Sequence, residues 1–162
     1  MDKALYLLAE FDQATQEGLA ALYQTLGVEG RQTKDIPYHL TLGSRPCGEE
    51  VSMAQELAMV CTQTDCIEVR MDHLGFFGLH CLFVEPNMNR ELLTLRNRFF
   101  PQCGKGVSAW TAHATLLIDE PEKVTAAIPI AAAHFEPWNA RIEAVSLYEF
   151  FPTRFITRCI LQ

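Results

Sequence analysis

"PYHLTL", Pro37–Leu42, and "TAHATL", Thr111–Leu116, share one frame: His, any residue, Thr, Leu. In an extended strand, residues i and i+2 point to the same side. His39 and Thr41 therefore present an imidazole and a hydroxyl together, and His113 with Thr115 repeats the arrangement. Leu40 and Leu42, like Ala114 and Leu116, supply the opposite, apolar side. A strand used only for packing has no reason to place the same two polar groups twice in one register. The pair predicts a site fed by two strands, one from each half of the chain.

The surroundings of the two motifs also repeat. Residues 4–9, "ALYLLA", read as a buried strand. Asp12 then offers an N-cap, Leu19, Leu22, Tyr23 and Leu26 recur at helical spacing, and Gly27 is placed to end the helix. After the first motif comes a second helix, with Val51, Ala54, Ala58 and Cys61 on one face, and then the strand "CIEVRMDHLGFF". From residue 79 the order restarts. "LHCLFVEP" is a strand and "NRELLTLRNRFF" a helix with Leu92, Leu95 and Phe99 on one face. "TAHATLLID" is a strand, followed by a helix opened by Pro121 that Pro129 is expected to shorten or kink. "ARIEAVSLYEF" and "RFITRCILQ" close the chain as strands.

Strand, helix, His-x-Thr strand, helix, strand thus occurs twice, a duplication of elements rather than of residues. No low-complexity linker separates the halves. The expected fold class is α+β: a bilobal, duplicated arrangement of two small antiparallel sheets facing a central cleft, with helices packed outside. Residues 1–162 form a single domain on this reading, with lobes of approximately 1–77 and 78–162 and room for strands to intertwine.

Composition narrows the partners. The chain has 162 residues, 49% hydrophobic and 20% charged, as in an ordinary globular protein. Its longest N-terminal apolar run is closed by Glu10 and Asp12, too short for a signal core or a membrane span, so a cytoplasmic location is expected and a membrane partner is not. A net charge of −7 argues against gripping a long nucleic-acid duplex through its phosphates, but leaves room for a small nucleotide or an RNA terminus held by one or two arginines. The six cysteines include no CxxC pair, which suits reduced thiols and gives no familiar metal-ligand spacing; Cys61 and Cys66 are the nearest pair. His73, His80 and His134 lack the motif frame and read as surface or hairpin residues.

Two imidazoles facing one phosphorus suit in-line phosphodiester chemistry. With an ordinary pKa near ~6.5, one can accept a proton while the other donates one. The first activates water, the second protonates the departing oxygen, and two Thr hydroxyls donate to the non-bridging oxygens without a metal.

With its two His-x-Thr motifs on strands of duplicated halves, the chain resembles the 2H phosphoesterase superfamily, in its branch of 2′-5′ RNA ligase-like proteins and cyclic nucleotide phosphodiesterases. The resemblance covers nearly the whole chain, including the "LGFFGLHCLFVEP" segment. It implies a bilobal fold, no cofactor, and metal-independent opening of a 2′,3′-cyclic phosphate or a related cyclic or 2′-5′ diester. His39 and His113 would be acid and base, and Thr41 and Thr115 would bind phosphate. Ligase-like members often carry a basic residue shortly after the second motif, where this chain reads "LLIDE", so the hydrolase reading stands ahead of RNA ligation. A nucleotide-binding module without turnover is the rival from another class. A monomer is expected. Strand parity adds Arg45, on the side of His39 and Thr41, as a substrate-binding residue; Tyr148 is a base-stacking candidate whose plainer reading is core packing.

Overall fold

The computed structural model describes residues 3–28, 36–101 and 110–162. In chain order the elements are β1 (Ala4–Phe11), α1 (Gln13–Thr25), β2 (His39–Arg45), α2 (Glu50–Cys61), β3 (Ile67–Phe77), β4 (Cys81–Pro86), α3 (Arg90–Phe99), β5 (Ala114–Ile118), α4 (Pro121–His134), β6 (Trp138–Phe150) and β7 (Arg154–Ile160). The α+β class is as expected. Helix caps follow the local chemistry: Asp12 Oδ1 accepts from the Thr15 amide at 3.1 Å, and Asn89 Oδ1 accepts from the Leu92 amide at 2.8 Å. Gly27, just past α1, has φ +62°, a conformation that costs a side-chain-bearing residue more than glycine.

All pairing is antiparallel and belongs to one seven-stranded sheet, of order β2-β1-β6-β3-β4-β5, with β7 also paired to β6. The expectation of two separate sheets is corrected by this continuity. Its cause is the length of β6, whose 13 residues serve two sets of partners. Residues 138–142 pair with β3, while residues 142–150 pair with β1 and residues 144–149 with β7.

The sheet also curls back on itself. Strands β2 and β5, at opposite ends of the pairing order, approach to within 8 Å between Cα atoms. Both His-x-Thr motifs lie along this seam.

One large core runs beneath the sheet. Leu5, Leu7, Ala9 and Phe11 of β1 enter it with Leu40 and Leu42 of β2 and Leu116 and Leu117 of β5. From the helices come Leu19 and Leu22 of α1, Leu92, Leu95 and Phe99 of α3, and Val124, Ala127 and Ala131 of α4. Two helices depart from expectation. In α2 the buried residues are Met53, Leu57, Val60 and Cys61, so the helix is rotated and Val51 is left 72% exposed. Methionine and leucine bury more surface than valine and alanine, and they win the contest for the core. Helix α4 continues through Pro129 to His134, because burial of Ala131 beyond the proline holds the last turns against the core despite one lost amide donor. Among the described residues, no helix is long and apolar enough to cross a membrane.

Candidate active site

The first motif sits on β2. Its register sets His39 opposite Glu10 and Thr41 opposite Leu8 of β1. Directly paired residues share a sheet face, so His39, Thr41, Leu8 and Glu10 belong together on the face away from the main core. That face continues onto β6, where Leu8 pairs with Ser146 and Tyr6 with Tyr148, and onto β7, where Ser146 pairs with Arg158 and Tyr148 with Phe155.

The second motif begins one residue before β5. His113 precedes the strand and Thr115 lies within it, opposite Phe83 of β4. The His113 ring packs against two aromatic rings that also touch each other, Phe77 at 4.9 Å in an edge-on geometry and Phe83 at 5.0 Å. Phe83 in turn fits only because its β3 neighbour is Gly75, where any Cβ would run into the Phe83 ring. The Cys81 thiol hydrogen-bonds with Thr115 and is pushed up in pKa by burial, which favours the uncharged form.

The two imidazoles are fixed by the same device. His39 Nδ1 lies 2.8 Å from the Pro37 carbonyl, and His113 Nδ1 lies 2.8 Å from the Thr111 carbonyl. A carbonyl only accepts, so Nδ1–H is the donor in both rings, and in the neutral imidazole the lone pair lies on Nε2. The repeated spacing therefore reaches back two residues and fixes a tautomer as well as a side. His39 has its pKa lowered chiefly by burial, and the charge of His113 lowers it further, against the Pro37 carbonyl and Glu10, which favour protonation. The field of His113 thus reaches His39 across the seam.

A second contact ties the motifs together. The Trp110 indole N–H, three residues before His113, donates to the Thr41 carbonyl at 3.0 Å. Arg96 of α3, largely buried, lies 4.6 Å from the centre of the Trp110 ring and donates through Nε to the Leu42 carbonyl at 3.0 Å. Neither residue is among the sequence-based candidates. Trp110 stands close enough to the motif to have been suspected; Arg96 gave no signal beyond being a charge in a helix with an apolar stripe. Glu10 was also missed, although a carboxylate inside an otherwise apolar strand was a visible anomaly.

Arg45 is not brought to this face. A β-bulge between Leu7 and Leu8 leaves Leu42 without an opposite number, so that Leu7 pairs with Gly43 and Leu5 with Arg45. Parity flips there, and Arg45 turns to the helix side. It meets Glu56 Oε2 at 2.7 Å, Glu56 Oε1 at 3.1 Å and the Phe99 carbonyl at 2.6 Å. Tyr148 is on the site face but buried, stacked with Phe150 at 5.9 Å and edge-on to Phe155 at 5.4 Å, so core packing takes it. Cys61 lies beside Cys159 rather than Cys66, with its thiol pushed up to about 12, mainly by burial. Cys103 lies outside the described residues.

An apolar groove of about 400 Å³ between α2 and β7 and a smaller one of about 290 Å³ beside α3 contain no motif residue. The candidate site is marked instead by the His-x-Thr groups and the Trp110 bridge between their strands.

No protein-family model and no curated protein matches the chain. Solved structures do. LigT of E. coli in its apo form is 19% identical, with TM-score 0.66 over 99% of this chain and 98% of that one. A protein solved as a phosphoesterase is 20% identical, with TM-score 0.69 over 99% of both chains. TT0787 of Thermus thermophilus is 12% identical, with TM-score 0.59 over 98% of this chain and 97% of that one. These neighbours are 2H phosphoesterase superfamily members, and the chain has their fold. LigT has also been solved in complex with NADP+, 3′-AMP, phosphate and ATP.

Proposed function

We propose that the chain is a metal-independent phosphodiesterase that hydrolyses a 2′,3′-cyclic phosphate or a related cyclic or 2′-5′ nucleotide diester. The observation that carries this reading is the matched pair of imidazoles, each locked through Nδ1 to the carbonyl two residues upstream, on the two strand ends that meet at one seam. The 2H phosphoesterase fold and the nucleotide complexes of LigT support it.

His39 is the base. Burial keeps it neutral near pH 7, with the Nε2 lone pair free to take a proton from water. The hydroxide so formed attacks phosphorus in line with the ester oxygen to be released. That P–O bond breaks as His113, entering the step as the doubly protonated imidazolium, gives the departing oxygen its Nε2 proton and is left as the neutral Nδ1–H ring. Thr41 and Thr115 donate hydroxyl hydrogens to the non-bridging oxygens as charge grows on them. The products are a phosphomonoester and a free ribose hydroxyl. Because both rings share one tautomer, their roles exchange when the reaction runs backward. That symmetry, with the likeness to LigT, keeps 2′-5′ ligation as the second reading.

His39→Ala and His113→Ala should each lower kcat on a 2′,3′-cyclic nucleotide by about 100- to 10,000-fold, the usual contribution of one positioned proton transfer. Circular dichroism should show both variants folded, and excess chelator should leave the wild-type rate unchanged. Full activity in either variant refutes the assignment; tight nucleotide binding with no product in the wild type supports a binding module instead.

A further inference from the structure

One polar group on the site face has no part in the chemistry above. Glu10 is a carboxylate with side-chain exposure of only 6%, and both its oxygens are occupied: the Ser146 hydroxyl donates to Oε1, and Arg158 Nε donates to Oε2 at 2.6 Å. A buried carboxylate is costly unless paired and hydrogen-bonded, so this one is fully committed to holding Arg158.

The consequence lies at the other end of the guanidinium. Arginine has five N–H donors in a rigid fork, and Glu10 takes only Nε–H. Among the described residues, the Nη atoms of Arg158 have no acceptor, and the side chain stays 39% exposed. Glu10 stands directly across from His39, about one strand spacing, ~5 Å, away, and the guanidinium head lies beyond the Glu10 carboxylate on the same face. Beside it, the irregular register between Leu147 and Tyr148 brings Phe155 to the same face although it lies three residues from Arg158. Phe155 is 55% exposed and steadied edge-on by Tyr148.

We propose that Arg158, aimed by Glu10 and Ser146, binds a second phosphate of the substrate, and that Phe155 stacks the base attached to it. The site then prefers an oligonucleotide ending in the reacting phosphate over a mononucleotide. This rests on the phosphodiesterase reading for the location of the reacting group. A guanidinium edge pairs with two phosphate oxygens at once, and an exposed ring stacks a base without regard to its identity.

The test is calorimetric titration of the full chain with 3′-AMP and with the dinucleotide ApAp, which adds one internal phosphodiester. Wild type should bind ApAp at least tenfold more tightly than 3′-AMP. Arg158→Gln should collapse that ratio to within about twofold, Arg158→Lys should retain part of it, and Phe155→Ala should lower it several-fold. A wild-type ratio near one, a ratio unchanged in Arg158→Gln, or binding of neither ligand overturns the proposal. Turnover of 2′,3′-cyclic AMP, measured beside it, separates the two ideas: turnover with an unchanged ratio removes this subsite alone, while a collapsed ratio without turnover removes hydrolysis alone.

Discussion

At the scale of single residues, the site depends on a histidine that prefers to be neutral. Burial lowers the pKa of His39 below the ordinary ~6.5 of imidazole. Between its folded value and ~6.5 the unfolded chain binds a proton that the folded chain refuses, so stability rises with pH across that window and is lost as pH falls through it. Urea denaturation followed from pH 7 downward should show that loss, and His39→Gln should flatten it. The acid limb of kcat/KM should fall below ~6.5 in the wild type. A limb at or above that value would give the base role to another group. The motif residues were legible in the sequence because His-x-Thr is a local, period-2 signal. Glu10 and Arg96 act through partners far along the chain, and no local pattern encodes those meetings.

At the scale of elements, the two motif segments are joined by a side-chain bridge. Replacing Trp110 with Phe keeps most of the ring over Arg96 but removes the N–H that serves the Thr41 carbonyl. The expected cost is about 1 kcal/mol of stability, the typical net worth of one such bond, with a fall in kcat larger than the rise in KM because Thr41 loses its fixed place. Equal stability and kinetics would show the bridge to be idle. Strands and helices were read from the sequence nearly end to end, since their periodicities are strong. The facing of β2 beyond Leu42 was not, because a bulge leaves composition and spacing untouched while reversing which side each later residue takes. The rotation of α2 was missed for a related reason: apolar residues occur on two of its faces, and only the neighbours decide which is covered.

At the scale of the molecule, β6 belongs to every part of the sheet. Strands β1 and β7 depend on its second half and β3 on its first, so neither group keeps its pairing when the other is lost. Unfolding should therefore be a single transition, with far-ultraviolet dichroism and tryptophan fluorescence coinciding in urea. Residues 78–162 expressed alone should not fold cooperatively, since β3 and β1 would be missing from both flanks of β6. Separate transitions would favour independent lobes. The chain order announced the repeated order of elements, but joining into one sheet required a strand long enough to bridge, and its 13 residues were the hint.

The unpaired residue at Leu42 works as a phase switch in β2. Before it, side chains of one parity serve the reaction; after it, the same parity serves the scaffold, which is why Arg45 anchors helices instead of touching phosphate. Deleting Leu42 would only straighten the strand, whereas deleting Ser44 with the bulge kept would set Arg45 opposite Tyr6, exporting a cation to the chemistry and stranding Glu56. Relatives of this chain that differ by one residue between the bulge and this arginine would therefore differ in electrostatic character with almost no change in composition.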